Sequence, residues 1–137
     1  MRLLGIDPGT RRCGVAVTDT AQSMAFPREA LENDDTMFEQ LAQLIDQESI
    51  ERIVIGRPVA LSGNVTRSTE IAHELFEAIV VRFPAVVVEQ WDERFTTREA
   101  QRSLSGAGLR ARDQRSRIDS AAAVIMLQNY IDAQRPH

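Results

Sequence analysis

Two apolar runs near the start of the chain, at residues 3–6 and 13–17, stand either side of Pro8-Gly9-Thr10. Short apolar runs separated by a proline–glycine turn signal predict a β-hairpin. The hairpin places one carboxylate, Asp7, at the mouth of its first strand. A charge there is costly unless it is hydrogen-bonded, paired or bound to a metal. An Asx turn ahead of Pro8-Gly9 is one local use for it.

The elements beyond the hairpin decide the fold class. Residues 24–31 predict a third short strand, demoted by Pro27. Asp35 is placed to cap a helix over residues 36–48, with Phe38, Leu41, Leu44 and Ile45 on one face. Residues 52–55 form a β-branched run ended by Gly56-Arg57-Pro58, and residues 59–64 read as loop. A second helix over 67–83 buries Ile71, Leu75 and Ile79 and stops at Pro84. Residues 85–91 start as a near-continuous apolar run, the kind that is buried on both faces of a sheet. Thr96 or Thr97 caps a further helix to Leu104, ended by Gly106 and Gly108, and a last helix covers about 117–133. A hairpin and then alternating helices and strands indicate one α/β domain, residues 1–137, built on a mixed sheet. Right-handed crossovers then gather the carboxyl ends of the later strands on one edge, where α/β sheets place their sites.

Composition narrows the chemistry. Among 137 residues there is one cysteine and there are two histidines, which excludes an internal disulfide, a cysteine-rich zinc site and a histidine-built catalytic centre. The first apolar run is broken by Asp7, so no signal peptide is expected. No stretch approaches the roughly 18–20 apolar residues of a membrane span. A cytoplasmic protein with no membrane partner is expected. The net charge of −4 hides an asymmetry: up to Glu93 there are 8 Arg against 16 acids, and from Arg94 onward 8 Arg against 4. Every basic residue is Arg, a side chain suited to bidentate phosphate contact. The clustering of Arg94, Arg98, Arg110, Arg112, Arg115 and Arg117 therefore suggests a nucleic-acid surface.

Three acids feed the expected site edge. Asp7 follows the first strand, Glu93 (with Asp92 before it) follows the run at 85–91, and Asp119 opens an otherwise apolar helix. Each has a local alternative: an Asx turn for Asp7, surface pairing with Arg94 or Arg98 for Glu93, and a capping box with Ser116 for Asp119. Taken together, hard oxygen ligands without histidine or cysteine point to Mg²⁺ or Mn²⁺. Carboxylates beside an arginine-rich segment suggest metal-assisted attack on a phosphodiester. The three carboxyl groups are expected to lie close enough to share a metal site.

The stretches GIDPGTRRCGVAV, IVIGRP, DERFTTREA and IDSAAAVIMLQNYI, in that order, resemble the YqgF family. Its members are similar to the Holliday-junction resolvase RuvC and are described as nucleases that process the 5′ end of pre-16S rRNA. The resemblance spans nearly the whole chain. It implies an RNase H-like fold, a five-stranded mixed sheet flanked by helices, with Asp7, Glu93 and Asp119 as the catalytic, metal-holding acids. The implied activity is hydrolysis of RNA, with a ribosome precursor as partner; a DNA junction resolvase is the alternative in the same chemistry. Arg57, Arg94, Arg98 and the arginines from 110 to 117 would hold backbone phosphates. The chain departs from the family at Gly56-Arg57-Pro58, where Leu is usual before the proline. It departs from RuvC-like resolvases at Ala122, where a second acid is usual; Asp92 or Asp19 would have to stand in as fourth ligand. Two readings from other classes compete. An actin-like ATPase needs two such domains, whereas 137 residues accommodate one. A non-catalytic RNA-binding assembly factor would have no use for the carboxylates. Oligomeric state is not legible.

Overall fold

The computed structural model describes residues 1–57, 67–92 and 120–134. The expected loop at 59–64, the helix at 96–104 and the arginine-rich stretch from 110 to 117 lie outside the described residues. Eight elements run along the described chain: β1 (Arg2–Asp7), β2 (Arg12–Thr18), β3 (Ala25–Glu32), α1 (Met37–Gln47), β4 (Ile50–Arg57), α2 (Arg67–Arg82), β5 (Val87–Asp92) and a last helix, α3 (Ala121–Gln134). The strands form one sheet in the order β3-β2-β1-β4-β5. β3, β2 and β1 are antiparallel neighbours, and β1, β4 and β5 run parallel. The carboxyl ends of β1, β4 and β5 thus share one edge, as the sequence predicts.

Helices cover both faces of the sheet. Side chains alternate along each strand, so even and odd positions of β1 go to different layers. Leu4 and Ile6 pack with Val15, Val17, Ile53 and Ile55 against Met37 and Leu41 of α1 and Leu75 and Ile79 of α2. Leu3, Ala16 and Val54 pack against Ala123, Met126, Leu127 and Ile131 of α3. β1, β2 and β4 are the strands buried on both faces.

Two expectations need correction, and the edge strand expected around Pro27 is borne out. β5 is an edge strand rather than a doubly buried one; Val87 at its start is 52% exposed. Both of its faces meet helices, Val88 on the side of α1 and α2 and Trp91 on the side of α3, but none of its residues is fully buried. Pro27 does not shorten β3, which runs its full eight residues at the opposite edge, where a missing donor is tolerated. The turn into α1 is organised by Asp34, not Asp35: Asp34 Oδ1 accepts hydrogen bonds from the backbone N–H of Thr36 at 2.9 Å and its hydroxyl at 2.5 Å. These bonds hold the Asp34 carboxyl below the usual carboxylate range.

α3 lies unusually close to the central strand because Gly5 has no side chain. A Cβ built on Gly5 would stand 3.0 Å from Leu127 Cβ and 3.3 Å from the tip of Met126. The Leu127 Cβ belongs to the helix itself and cannot rotate away, so Gly5→Ala must shift α3 outward by a few tenths of an ångström. Overpacking of this kind costs about 1–3 kcal/mol, and chemical denaturation should show that loss. A variant as stable as the parent would mean that α3 can shift freely.

Candidate active site

Asp7 is the last residue of β1 and is half-buried. By alternation it belongs to the face of Leu3 and Gly5, the face covered by α3. Its partner across the antiparallel ladder is Gly14, which has no side chain to fill the space beside the carboxylate. On the parallel side Ile6 is in register with Ile55, which brings Gly56 alongside Asp7. The carboxylate thus lies half-buried between two strands that carry glycine beside it.

The turn after Asp7 is tightly held. A Cβ on Gly9 would lie 2.3 Å from the carbonyl oxygen of Arg12, so no other residue fits without moving the backbone. Asn33, just beyond β3, fixes the same turn from outside. Its side-chain amide donates to the Gly9 carbonyl at 2.7 Å, and its backbone N–H donates to the Arg11 carbonyl at 2.8 Å. Below the turn sits the buried Cys13 thiol. Burial pushes its pKa up; a hydrogen bond from the Gly9 backbone opposes this, and the Asp7 charge adds to the rise. Cys13 is therefore held as a neutral thiol, a poor nucleophile.

The start of α3 is pinned to the same end. Ser120 is fully buried. Its Oγ accepts a hydrogen bond from the Val15 N–H at 2.9 Å and donates to the Arg28 carbonyl at 2.7 Å. Val15 and Arg28 are register partners beside an irregularity in the β2–β3 ladder, and the hydroxyl bridges the two strands there. Val15 also pairs with Ile6, one residue from Asp7. The chain entering α3 is thus held at the level of the β1 carboxyl end. A serine before a run of alanines reads as a helix cap, so the sequence alone does not single out Ser120.

Glu93 and Asp119 lie outside the described residues, as do Arg94, Arg98, Arg110, Arg112, Arg115 and Arg117. Their described neighbours can be placed. Asp92 ends β5 in register with Arg57 at the end of β4. Alternation gives both the face of Val88 and Ile55, opposite to that of Asp7. This placement disfavours Asp92 as a fourth ligand. Asp19 is at the far end of the hairpin, engaged with the Ser23 N–H at 2.7 Å, the Ser23 hydroxyl at 2.6 Å and the Met24 N–H at 3.2 Å. The Ser23 hydroxyl is the largest influence holding its carboxyl below the ordinary range. Asp19 is a turn former and not a ligand beside Asp7. Ala122 is exposed. Among the described residues, no three His, Cys, Asp or Glu side chains cluster as a metal site.

Comparison with known proteins gives a consistent result. A family profile described as "RuvX: Holliday junction resolvase" matches residues 1–133. A protein of Halalkalibacterium halodurans named "Putative pre-16S rRNA nuclease" is 38% identical over 139 residues, covering 98% of this chain and 99% of that one. A protein of the same name from Mycobacterium tuberculosis is 41% identical over 133 residues, covering 96% of this chain and 78% of the relative. Among solved structures, Thermus thermophilus RuvC in complex with a Holliday junction substrate superposes with a TM-score of 0.63 at 19% identity, covering 98% of this chain and 95% of that one. The Fowlpox virus resolvase, solved with junction DNA, gives 0.62 at 11% identity, with 99% and 100% covered. At such identities the structures establish the fold, which is RNase H-like.

Removing the Ser120 hydroxyl tests the anchoring. Ser120→Ala leaves the Val15 N–H and the Arg28 carbonyl without the bridging partner, and a buried polar group so stranded costs about 1–3 kcal/mol. The expected outcome is a lower denaturation midpoint. Hydrogen exchange should quicken at Val15. Unchanged protection there would show that the ladder closes without the serine.

Proposed function

The chain belongs to the RuvX (YqgF) family, and on that premise we propose that it is a divalent-metal-dependent nuclease acting on RNA at the 5′ end of pre-16S rRNA. The observation that carries the reading is the position of Asp7: a half-buried carboxylate at the carboxyl end of the central strand, on the face covered by α3, beside a residue without a side chain. The reading places Glu93 and Asp119 with it. Glu93 follows Trp91 by two residues, one strand period, and the Trp91 ring packs on the α3 side. Asp119 is bonded directly to Ser120, whose hydroxyl is locked at the level of Asp7.

The donor chemistry fits Mg²⁺ or Mn²⁺. The three acids offer only hard oxygen atoms, and the nearby thiol is neutral and buried. Asp7, Glu93 and Asp119 would hold the metal, which supplies Lewis acidity and an ionised water without a histidine base. The chain's own groups do the rest. The rigid turn at Gly9 keeps Asp7 in place, the α3 layer limits water behind it, and Arg94, Arg98 and the arginines from 110 to 117 would hold backbone phosphates on either side. Arg57, exposed at the end of β4, offers a further contact on the other face of the edge. Such contacts position a strand without reading its bases.

A second reading, cleavage of branched DNA, is favoured by the description of the family profile. Incubating the protein with a pre-16S rRNA 5′ leader and with a four-way DNA junction separates the two. Shortening of the RNA in Mg²⁺ or Mn²⁺ and none in EDTA supports the RNA nuclease. A cleaved junction with intact RNA supports the resolvase. RNA binding without cleavage under every metal condition would replace both with an assembly factor.

Two further outcomes are expected. Asp7→Asn removes a charge that holds the cation while keeping the shape of the turn. Metal catalysis is worth several kcal/mol, so cleavage should fall by at least about 100-fold. The melting temperature in EDTA should stay level or rise, because repulsion among clustered carboxylates is relieved. A variant that melts lower yet cleaves normally would reduce Asp7 to a turn former. Replacing Arg112 and Arg115 together with Ala should make the slope of log affinity against log salt shallower by roughly 1.4 for single-stranded RNA, about 0.7 for each contact. An unchanged slope would assign these arginines to solubility.

A further inference from the structure

The depression beside Asp7 is lined on its outer side by Thr10, Arg11 and Arg12 and encloses about 430 Å³. Both arginines stand at the rim of a site whose own carboxylate repels a phosphate, yet they are not equivalent. Arg12 is the register partner of Glu32 on β3, and its Nε lies 3.4 Å from the Glu32 carboxylate. Its charge is already balanced by an acid held in the sheet. Arg11 is exposed and forms no ion pair among the described residues.

The backbone that carries Arg11 is also fixed. Asn33 takes hold of the turn at the Gly9 and Arg11 carbonyls, and Gly9 packs against the Arg12 carbonyl too closely for any side chain. A long cationic side chain therefore projects from a rigid base next to the carboxylate. That economy of ordering suits recognition of a charged group, because less backbone freedom is lost when the contact forms.

We propose that Arg11 is a substrate-binding residue, which grips a backbone phosphate of the nucleic-acid strand lying across Asp7, with Asn33 as the positioning residue that sets its turn. The assignment rests on the nuclease reading and adds a contact from the hairpin to those proposed for the arginines at 94–117. Arg12 serves the sheet and not the substrate. A guanidinium at this point offers two donors to one phosphate, so the contact carries charge and geometry together.

The test is equilibrium binding of a labelled RNA leader and a labelled four-way junction to the full chain in EDTA, where cleavage is absent, as salt is raised from roughly 50 to 200 mM. For the parent protein, affinity should fall steeply across this range. For Arg11→Ala, that fall should be about threefold smaller, the share of one phosphate contact over a fourfold change of salt. Arg11→Lys should restore the slope, since it keeps the charge, while binding more weakly than the parent because it lacks the fork. Asn33→Ala should weaken binding with the slope retained. If the parent binds and Arg11→Ala shows the parent's slope, the assignment of Arg11 is wrong and the nuclease reading stands. If the parent shows no salt-dependent binding to either probe, both are overturned.

Discussion

The candidate site depends on how closely α3 lies against β1. The contact is possible because the α3 face of the two central hairpin strands carries Gly5, Gly14 and Ala16. Leu127 settles over Gly5 at a separation that leaves a methyl group only a tight fit. Just before the helix, Ser120 reaches into the β2–β3 ladder. A 14-residue helix is about 21 Å long and a six-residue strand about 20 Å, so α3 spans the sheet from one strand end to the other. At its far end Arg52 donates to Glu89 at 2.8 Å and to the Tyr130 hydroxyl at 3.2 Å, and the Tyr130 ring meets Trp91 edge-on with centroids 5.2 Å apart. Burial, with the Glu89 charge, raises the Tyr130 pKa and keeps that hydroxyl a donor. The helix is therefore fixed along its length by hydrogen bonds at both ends and by packing between them. Its first residues cannot drift from the level of Asp7.

The hairpin contributes a different kind of rigidity. A tight turn with a glycine requirement and an outside clamp from Asn33 holds the strand end that bears Asp7. The buried thiol beneath it remains neutral. Two consequences meet at one position: the carboxylate has a defined location, and no competing nucleophile or soft ligand stands next to it among the described residues. Oxygen donors beside a neutral thiol would suit a hard cation, as the proposed reading requires.

Local signals make much of the framework legible. The β1–β2 hairpin follows from Pro8-Gly9 between two apolar runs, and the parallel edge from helices separating the later strands. Asp7 is recognisable because a charge at the end of a buried strand has few uses. The features that escape a sequence reading depend on partners distant along the chain. Ser120 bonds to residues 105 and 92 positions away, and nothing in its neighbourhood reveals that. Asn33 looks like any turn residue until its amide meets Gly9, 24 positions earlier. The edge status of β5 is set by strand order, which a run of valines does not encode. Its apolar start resembles a central strand because both of its faces meet helices, and only the lack of a second neighbour strand among the described residues leaves it half-covered.

Net charge is the least transparent property, and the ion pairs explain why. The chain up to Glu93 has twice as many acids as arginines, which alone would describe a surface hostile to nucleic acid. The described arginines are not interchangeable, however. Arg12, Arg28 and Arg52 are committed to Glu32, Glu48 and Glu89 within the sheet and its flanking helix, and Arg82 lies over the Phe38 ring at 4.2 Å. Arg11 and Arg57 form no such pair among the described residues, and both stand at the strand edge that carries Asp7. An arginine held by a glutamate has little charge left to offer a phosphate, whereas an unpaired one at a strand end does. Among the described residues, two guanidinium groups without an ion pair stand at the edge on which the fold places Asp7, where a polyanion would meet them.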